Sequence, residues 1–256
     1  MKREDKSLEF IGFDLGHGET AVGRAYGGSA REPEILEYLG EKSFVTAVAK
    51  KGRDVRIGAQ AVNLAAIGEG DKNEIWVKFK SRDIGDKDTK IPTQLFTKTL
   101  FADLARDKKI LGPKTSQFIV GCPSGWSDDD RISYQALMVS AGLKTVRVVP
   151  ESRAALMTAL EQGYLSLDAA RASVLIIDIG SSTTDFTFCT DLEAEDVGHN
   201  FLGSGLLDTL IFERCLARQP ERAKQDIDDA LGGFDVAGGD CPLRTWGEKR
   251  PLRDSN

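Results

Sequence analysis

Two stretches far apart in the chain share one pattern of apolar and polar positions. Ile11-Gly-Phe-Asp-Leu-Gly-His-Gly-Glu-Thr20 is answered by Ile176-Ile-Asp-Ile-Gly-Ser-Ser-Thr-Thr-Asp185. Each is an apolar run broken by an aspartate, then an apolar residue, a glycine and small polar residues, then a second strand-like run. The pattern predicts a β-strand, a tight turn and a returning strand. Residues 8–27 and 173–190 are read as these two hairpins, with a third strand at Ile35 to Leu39 after the first and another near 193–199 after the second. Between them, apolar positions 95, 96, 100, 101 and 104 repeat at helical spacing over Thr93 to Asp107, introduced by Pro92. Phe118 to Cys122 reads as a buried strand ended by Pro123, and Ser127 as the cap of a helix through about Ala141. Thr145 to Val149 is a strand, Glu151 to Gln162 a helix, and Gly203-Ser-Gly205 opens a helix to about Ala217. Residues 41–111 otherwise read as a charged, irregular stretch with turn signals at Gly52, Gly68 to Gly70 and Gly85-Asp86. The order β-β-β, α-β-α, β-β gives an α/β protein with a mixed sheet and right-handed crossovers.

A Rossmann fingerprint competes for the first stretch, because Gly16-His-Gly-Glu-Thr-Ala21 fits G-x-G-x-x-A. That fold needs a helix next, and Thr20-Ala-Val-Gly-Arg-Ala-Tyr26 runs straight into Gly27-Gly28. The hairpin is the better reading. Gly16, Gly18 and Gly180 are expected to take positive φ and let the backbone approach a ligand. Successive turn amides form an anion-binding concavity. Two such turns facing each other would grip one polyphosphate, leaving Asp14 and Asp178 to hold a hydrated metal ion.

Composition narrows the classes. The 256 residues carry a formal charge of −6, which argues against a nucleic-acid partner, since that calls for a basic face. No apolar run approaches the ~20 residues that span a bilayer, so no membrane role is expected. The start, Met1 to Lys6, lacks a signal-type apolar core, and a cytoplasmic location is the expectation. Four scattered cysteines (Cys122, Cys189, Cys215, Cys241) and two histidines make a zinc site a poor fit and free, mostly buried thiols the better one.

The two hairpins resemble the phosphate motifs of the actin, hexokinase and heat-shock ATPase superfamily. Four further segments resemble the 70-kDa heat-shock chaperones in particular. Val120-Gly-Cys-Pro-Ser-Gly-Trp-Ser-Asp-Asp-Asp-Arg131 and Ala141-Gly-Leu143 are similar to their V-P-A-x-F-x-x-x-x-R and A-G-L segments. Arg147-Val-Val-Pro-Glu-Ser-Arg-Ala-Ala155 is similar to I-x-E-P-x-A-A, and Gly198 to Asp208 to G-D-x-x-L-G-G-x-x-x-D.

This resemblance implies an actin-like (ribonuclease H-like) ATPase fold, two lobes around a nucleotide cleft, with the second lobe incomplete. Lobe one would be residues 1–170, with about 40–111 an inserted smaller subdomain. Residues 171–231 would be part of lobe two, and 232–256 a disordered tail. The resemblance fades near residue 210, so the chain is expected to be a truncated ATPase domain that binds ATP and Mg²⁺ weakly and has little or no activity alone.

By resemblance, Asp14 and Asp178 hold Mg²⁺ through water, and Gly16, His17, Gly18, Glu19, Thr20, Gly180, Ser181, Ser182, Thr183, Asp185 and Gly203 cradle ATP or ADP. Thr183 would stand near the terminal phosphate and Asp185 beside it. Glu151 matches a glutamate that reaches the nucleotide through water, or serves only the dipole of the helix it opens, with Ser152 where the family has proline. Ile57-Gly-Ala-Gln-Ala-Val-Asn63 resembles V-G-x-x-A-x-N, after which a catalytic lysine follows: Lys80, with Lys78 the alternative. His17 and Gly18 replace two hydroxyl residues of the family, and Ser181-Ser182 a pair of glycines. His17 would donate to a phosphate or lie over the turn. The implied function is ATP hydrolysis driving lobe rotation, with a client polypeptide, co-chaperone or nucleotide-exchange partner. A nucleotide-dependent filament or scaffold protein and a small-molecule kinase are the alternatives.

Overall fold

The computed structural model describes residues 8–28, 31–66, 74–181, 183–200 and 203–225. The first hairpin is β1 (Glu9–Leu15) and β2 (Glu19–Tyr26), antiparallel with Asp14 opposite Ala21. β1 alternates inward Ile11, Phe13 and Leu15 with outward Gly12 and Asp14, so the pleat alone sends Asp14 away from the core. Two short strands, β3 (Glu34–Leu36) and β4 (Ser43–Val45), share the far edge of β2. A separate small sheet holds β5 (Ala47–Lys51), β6 (Asp54–Ile57) and, after helix α1 (Ala59–Ala66), β7 (Glu74–Val77). Its own core is small: Ala47, Ala49, Ala61 and Ile75.

Helix α2 (Lys87–Arg106) leads to β8 (Gln117–Cys122), α3 (Asp128–Ser140) and β9 (Thr145–Pro150). β8 lies parallel to β1 and to β9, which completes a mixed sheet in the order β3-β2-β1-β8-β9. Helix α2 lays Phe96, Leu100, Phe101 and Leu104 on this sheet, where Phe101 meets Phe13 and Phe118 edge-on at 4.9 Å each. Each of these buried side chains contributes about 1.5–3 kcal/mol. The helix begins at Lys87, six residues before the start read from sequence, and carries Pro92 inside it. The proline removes one bond to the Asp88 carbonyl, near an exposed helix start where water replaces it. Ser127 caps α3 in a capping box with Asp130, as expected.

Helices α4 (Glu151–Glu161) and α5 (Leu167–Ala172) precede the second hairpin, β10 (Val174–Ile179) and β11 (Thr184–Thr190), with β12 (Glu193–Asn200) beside β11 and α6 (Ser204–Ala217) following. Helix α5 and strands β4 to β7 were not foreseen individually. Val174 and Ile176 pack toward Leu156, Ala170 and Cys189, while Leu175, Ile177 and Ile179 on the other face of β10 are exposed. Among the described residues no helix is long and apolar enough to cross a membrane. Cys122 and Cys189 are buried and Cys215 is exposed, and none of the three forms a disulfide among the described residues. Cys241 and the tail from residue 232 lie outside the described residues.

Candidate functional site

Asp14 and Asp178 occupy equivalent places, one residue from the end of β1 and of β10. The fold brings them together around a third carboxylate, Glu151, the first residue of α4. Lys80 donates from Nζ to Glu151 Oε1 at 2.8 Å, with its own side chain only 7% exposed. Three carboxylates therefore share one ammonium. Burial first, then Glu151, pushes the Asp14 carboxyl up to about 6; Lys80 opposes the shift and Asp178 adds to it. Asp178 is raised as well, by burial, Glu151 and Asp185 in that order, against Lys80. Asp14 presents exposed surface yet is crowded by protein atoms.

The two turns meet at this point. Gly18 faces Ser181: a Cβ built on Gly18 would lie 3.0 Å from Ser181 Oγ. None of Gly16, Gly18 and Gly180 has positive φ, which corrects the sequence expectation. Close approach is what requires glycine at Gly16, where a Cβ would collide with the Glu19 carbonyl oxygen. His17 is half-buried, and its Nδ1 lies 3.1 Å from the Lys80 carbonyl oxygen. A carbonyl only accepts, so Nδ1 carries the proton and Nε2 is a bare acceptor in the neutral ring. Burial chiefly, and the charges of Lys78 and Lys80, hold its pKa below the usual value.

Other predicted residues are engaged elsewhere. Thr20 is buried with its hydroxyl on Thr46 at 2.8 Å, and Glu19 accepts from Ser43 at 2.7 Å on the exposed β2–β4 edge. Thr183 donates to Asp185 at 3.2 Å. The backbone of the second turn is tied to α6: Ser204 N–H donates to the Gly180 carbonyl and Gly205 N–H to that of Ser181, each at 2.9 Å, and Gly203 is the N-cap. Ser182 lies outside the described residues. Lys78 has positive φ beside the site, whereas Lys80 reaches into it. Two supporting features were missed. Gly121 abuts Glu151, where a Cβ would lie 3.1 Å from Glu151 Cγ, and the buried Ser124 and Ser152 hydroxyls bond at 2.6 Å beneath α4. A glycine inside a buried strand is the signal that marks Gly121.

The electrostatics set a pH dependence. Between pH 3.8 and about 6 the folded chain keeps a proton on Asp14 that the unfolded chain has lost. The folded state binds more protons there, so the Asp14 contribution to stability falls as pH rises through that window. The difference in melting temperature, Asp14→Asn minus wild type, is expected to grow from pH 4 to 6 and then level off. Parallel melting curves for the two proteins across that range would refute the assignment.

Among the described residues no group of three or more His, Cys, Asp or Glu is arranged to enclose a metal ion. Two clustered carboxylates suit instead an ion that keeps most of its waters and shares its remaining sites with phosphate oxygens.

The fold matches known structures over most of the chain. MreB5 of Spiroplasma citri bound to ADP has a TM-score of 0.57, with 18% identity over 86% of this chain and 61% of that one. The same protein bound to AMPPNP gives 0.57 and 18%, over 87% and 62%. The chain thus spans about three-fifths of the length of these structures, and the likeness establishes an actin-like ATPase fold. The family model described as Hsp70 protein matches residues 42–195, more than half of the chain and all of the segment from the small sheet to the second hairpin. The chain belongs to the Hsp70 protein family.

Proposed function

We propose that the chain binds ATP with Mg²⁺ between its two hairpins and hydrolyses it to ADP and phosphate, in the chaperone manner of its family, with the angle between the lobes as the output. One observation carries this reading: Asp14 and Asp178, on equivalent strand ends, crowd each other and Glu151 around one lysine, an arrangement that repels itself until a cation arrives. The MreB5 structures of the same fold hold ADP and AMPPNP, which supports a nucleotide as the ligand.

Asp14 and Asp178 would hold the metal through its waters, and the bound ion would neutralise charge on the phosphate oxygens. Turn amides would orient the phosphates. Lys80, fixed by Glu151, would place its positive charge beside the terminal phosphate, and the Thr183 hydroxyl would turn from Asp185 toward it. Catalysis of this kind is positioning and electrostatics, with no covalent intermediate. A client polypeptide and a nucleotide-exchange partner follow from the chaperone reading.

One feature favours the scaffold reading, in which nucleotide sets conformation without being split. The one proton of the neutral His17 ring is committed to the Lys80 carbonyl, and Gly18 has no side chain, so the first turn offers the phosphate few side-chain donors. Calorimetry with ATP and Mg²⁺, followed by a phosphate-release assay, separates the readings. Binding with release of phosphate supports the chaperone ATPase, binding without release supports the scaffold, and no binding refutes both.

A further inference from the structure

We infer that Ser181 supplies the phosphate-binding hydroxyl of the first turn from across the cleft, in the space that a side chain on residue 18 would otherwise fill. The inference rests on the nucleotide reading above and names the group that completes its phosphate site.

The geometry is specific. Among the described residues, a Cβ on Gly18 would meet Ser181 alone, its Oγ at 3.0 Å and its Cβ at 3.1 Å. A side chain at position 18 would require Ser181 to give way by a few tenths of an ångström. The backbone of Ser181 is pinned from behind. Gly180 N–H donates to the Thr183 carbonyl at 2.8 Å and closes the turn, and the first amides of α6 take the Gly180 and Ser181 carbonyls. A Cβ on Gly205 would lie 2.8 Å from the Ser181 carbonyl oxygen, so glycine there is what lets the helix come this close. The side chain is thus held forward onto the opposite turn.

The chemistry completes the case. A phosphate gripped by both turns needs O–H or N–H donors. On the first turn, Gly18 has no side chain, Glu19 only accepts when ionised, the Thr20 hydroxyl is buried against Thr46, and the His17 proton is spent on Lys80. Among the described residues, Ser181 is the hydroxyl that reaches the junction of the two turns, so the donor that Gly18 lacks is provided by the second hairpin.

The test compares the full 256-residue chain with Ser181→Ala, Ser181→Gly, Gly18→Ser and the double variant Gly18→Ser/Ser181→Gly, titrated with AMPPNP and Mg²⁺ by calorimetry. Both Ser181 variants are expected to bind about tenfold more weakly or worse, the effect of losing a hydrogen bond to a charged group. Gly18→Ser is expected to weaken binding through its collision with Ser181. The double variant is expected to return to within about threefold of wild type, because the hydroxyl then comes from residue 18 into the vacated space. Melting curves identify any variant that fails to fold, and Ser181→Ala, which keeps the Cβ, reads the hydroxyl alone. Affinity of Ser181→Ala within about twofold of wild type overturns the inference, as does a double variant whose loss is the product of the single losses. Should the wild type bind no nucleotide, the functional reading fails and this inference with it; should it bind and Ser181→Ala be unchanged, only the inference fails.

Discussion

Asparagine in place of Asp14 or Asp178 is expected to lower whatever ATP turnover the whole protein has at least about 100-fold, close to 3 kcal/mol of barrier, while leaving the fold intact. The two effects have opposite signs for one reason. Each carboxylate is held above its ordinary pKa by burial and by Glu151, so its charge is a burden on the folded chain. Removing the Asp14 charge should stabilise the protein at neutral pH by about 1 kcal/mol, a figure reduced from the full shift because water reaches the group and screens it. The same charge becomes essential when a cation and a polyphosphate arrive, because a misplaced metal costs more in the transition state than in the ground state. Steady-state phosphate release and thermal melting, measured on the same preparations, test both halves. Turnover within about threefold of wild type for both variants, less than ~1 kcal/mol, would mean that the paired hairpins are structural only.

Lys80→Ala is expected to be the most destabilising single change at the site, costing about 3–5 kcal/mol, the usual penalty for stripping a buried ion pair of one partner. The Lys80 ammonium is nearly inaccessible and faces Glu151, Asp14 and Asp178. Without it, three carboxylates confront one another, and Asp14 and Asp178 lose the positive charge that opposes their upward shift. Exchanging both partners tests this cause. Lys80→Met with Glu151→Gln removes the pair as a unit and should recover most of the loss in a denaturant melt, yet bind ATP no better than Lys80→Ala. If the double variant is as unstable as Lys80→Ala, the cost lies in packing of the lysine stem and not in uncompensated charge.

Both hairpins were legible in the sequence because their signals are local: an aspartate among alternating apolar residues, then a glycine turn. The βαβ unit from β8 to β9 was equally plain, with Pro123 and Ser127 marking the strand end and the helix cap. The stretch from residue 41 to 92 was not. Strands β4 to β7 are three to five residues long, and what makes them strands is pairing with partners that no local pattern names, such as Ala47 with Val77. Helix α5, of six residues, is too short to show a period. Pro92 was read as a helix start because proline favours that place; the buried face of α2 keeps it inside the helix instead. The site divides in the same way. Asp14 and Asp178 could be picked out by pattern, and Lys80 (with Lys78 the alternative) and Glu151 by the family resemblance, whereas the bond from His17 to Lys80 and the meeting of Gly18 with Ser181 join residues that only the folded chain brings together.

The parallel pairing of β1 with β8 has a consequence for how the chain is made. Phe10 sits beside Gln117, so the strand that carries Asp14 leaves the ribosome long before its neighbour exists. Until then the first hairpin holds Ile11, Phe13 and Leu15 uncovered and one edge unpaired, the two features that invite association with other chains. Its cover, the face of α2 with Phe96, Leu100 and Phe101, arrives only shortly before β8. Non-local closure of this kind is slow, because the loop must be ordered before the contacts repay it. A nascent chain halted before residue 117 therefore displays the hairpin as an adhesive edge, and premature termination in that interval should yield aggregates in place of a soluble fragment.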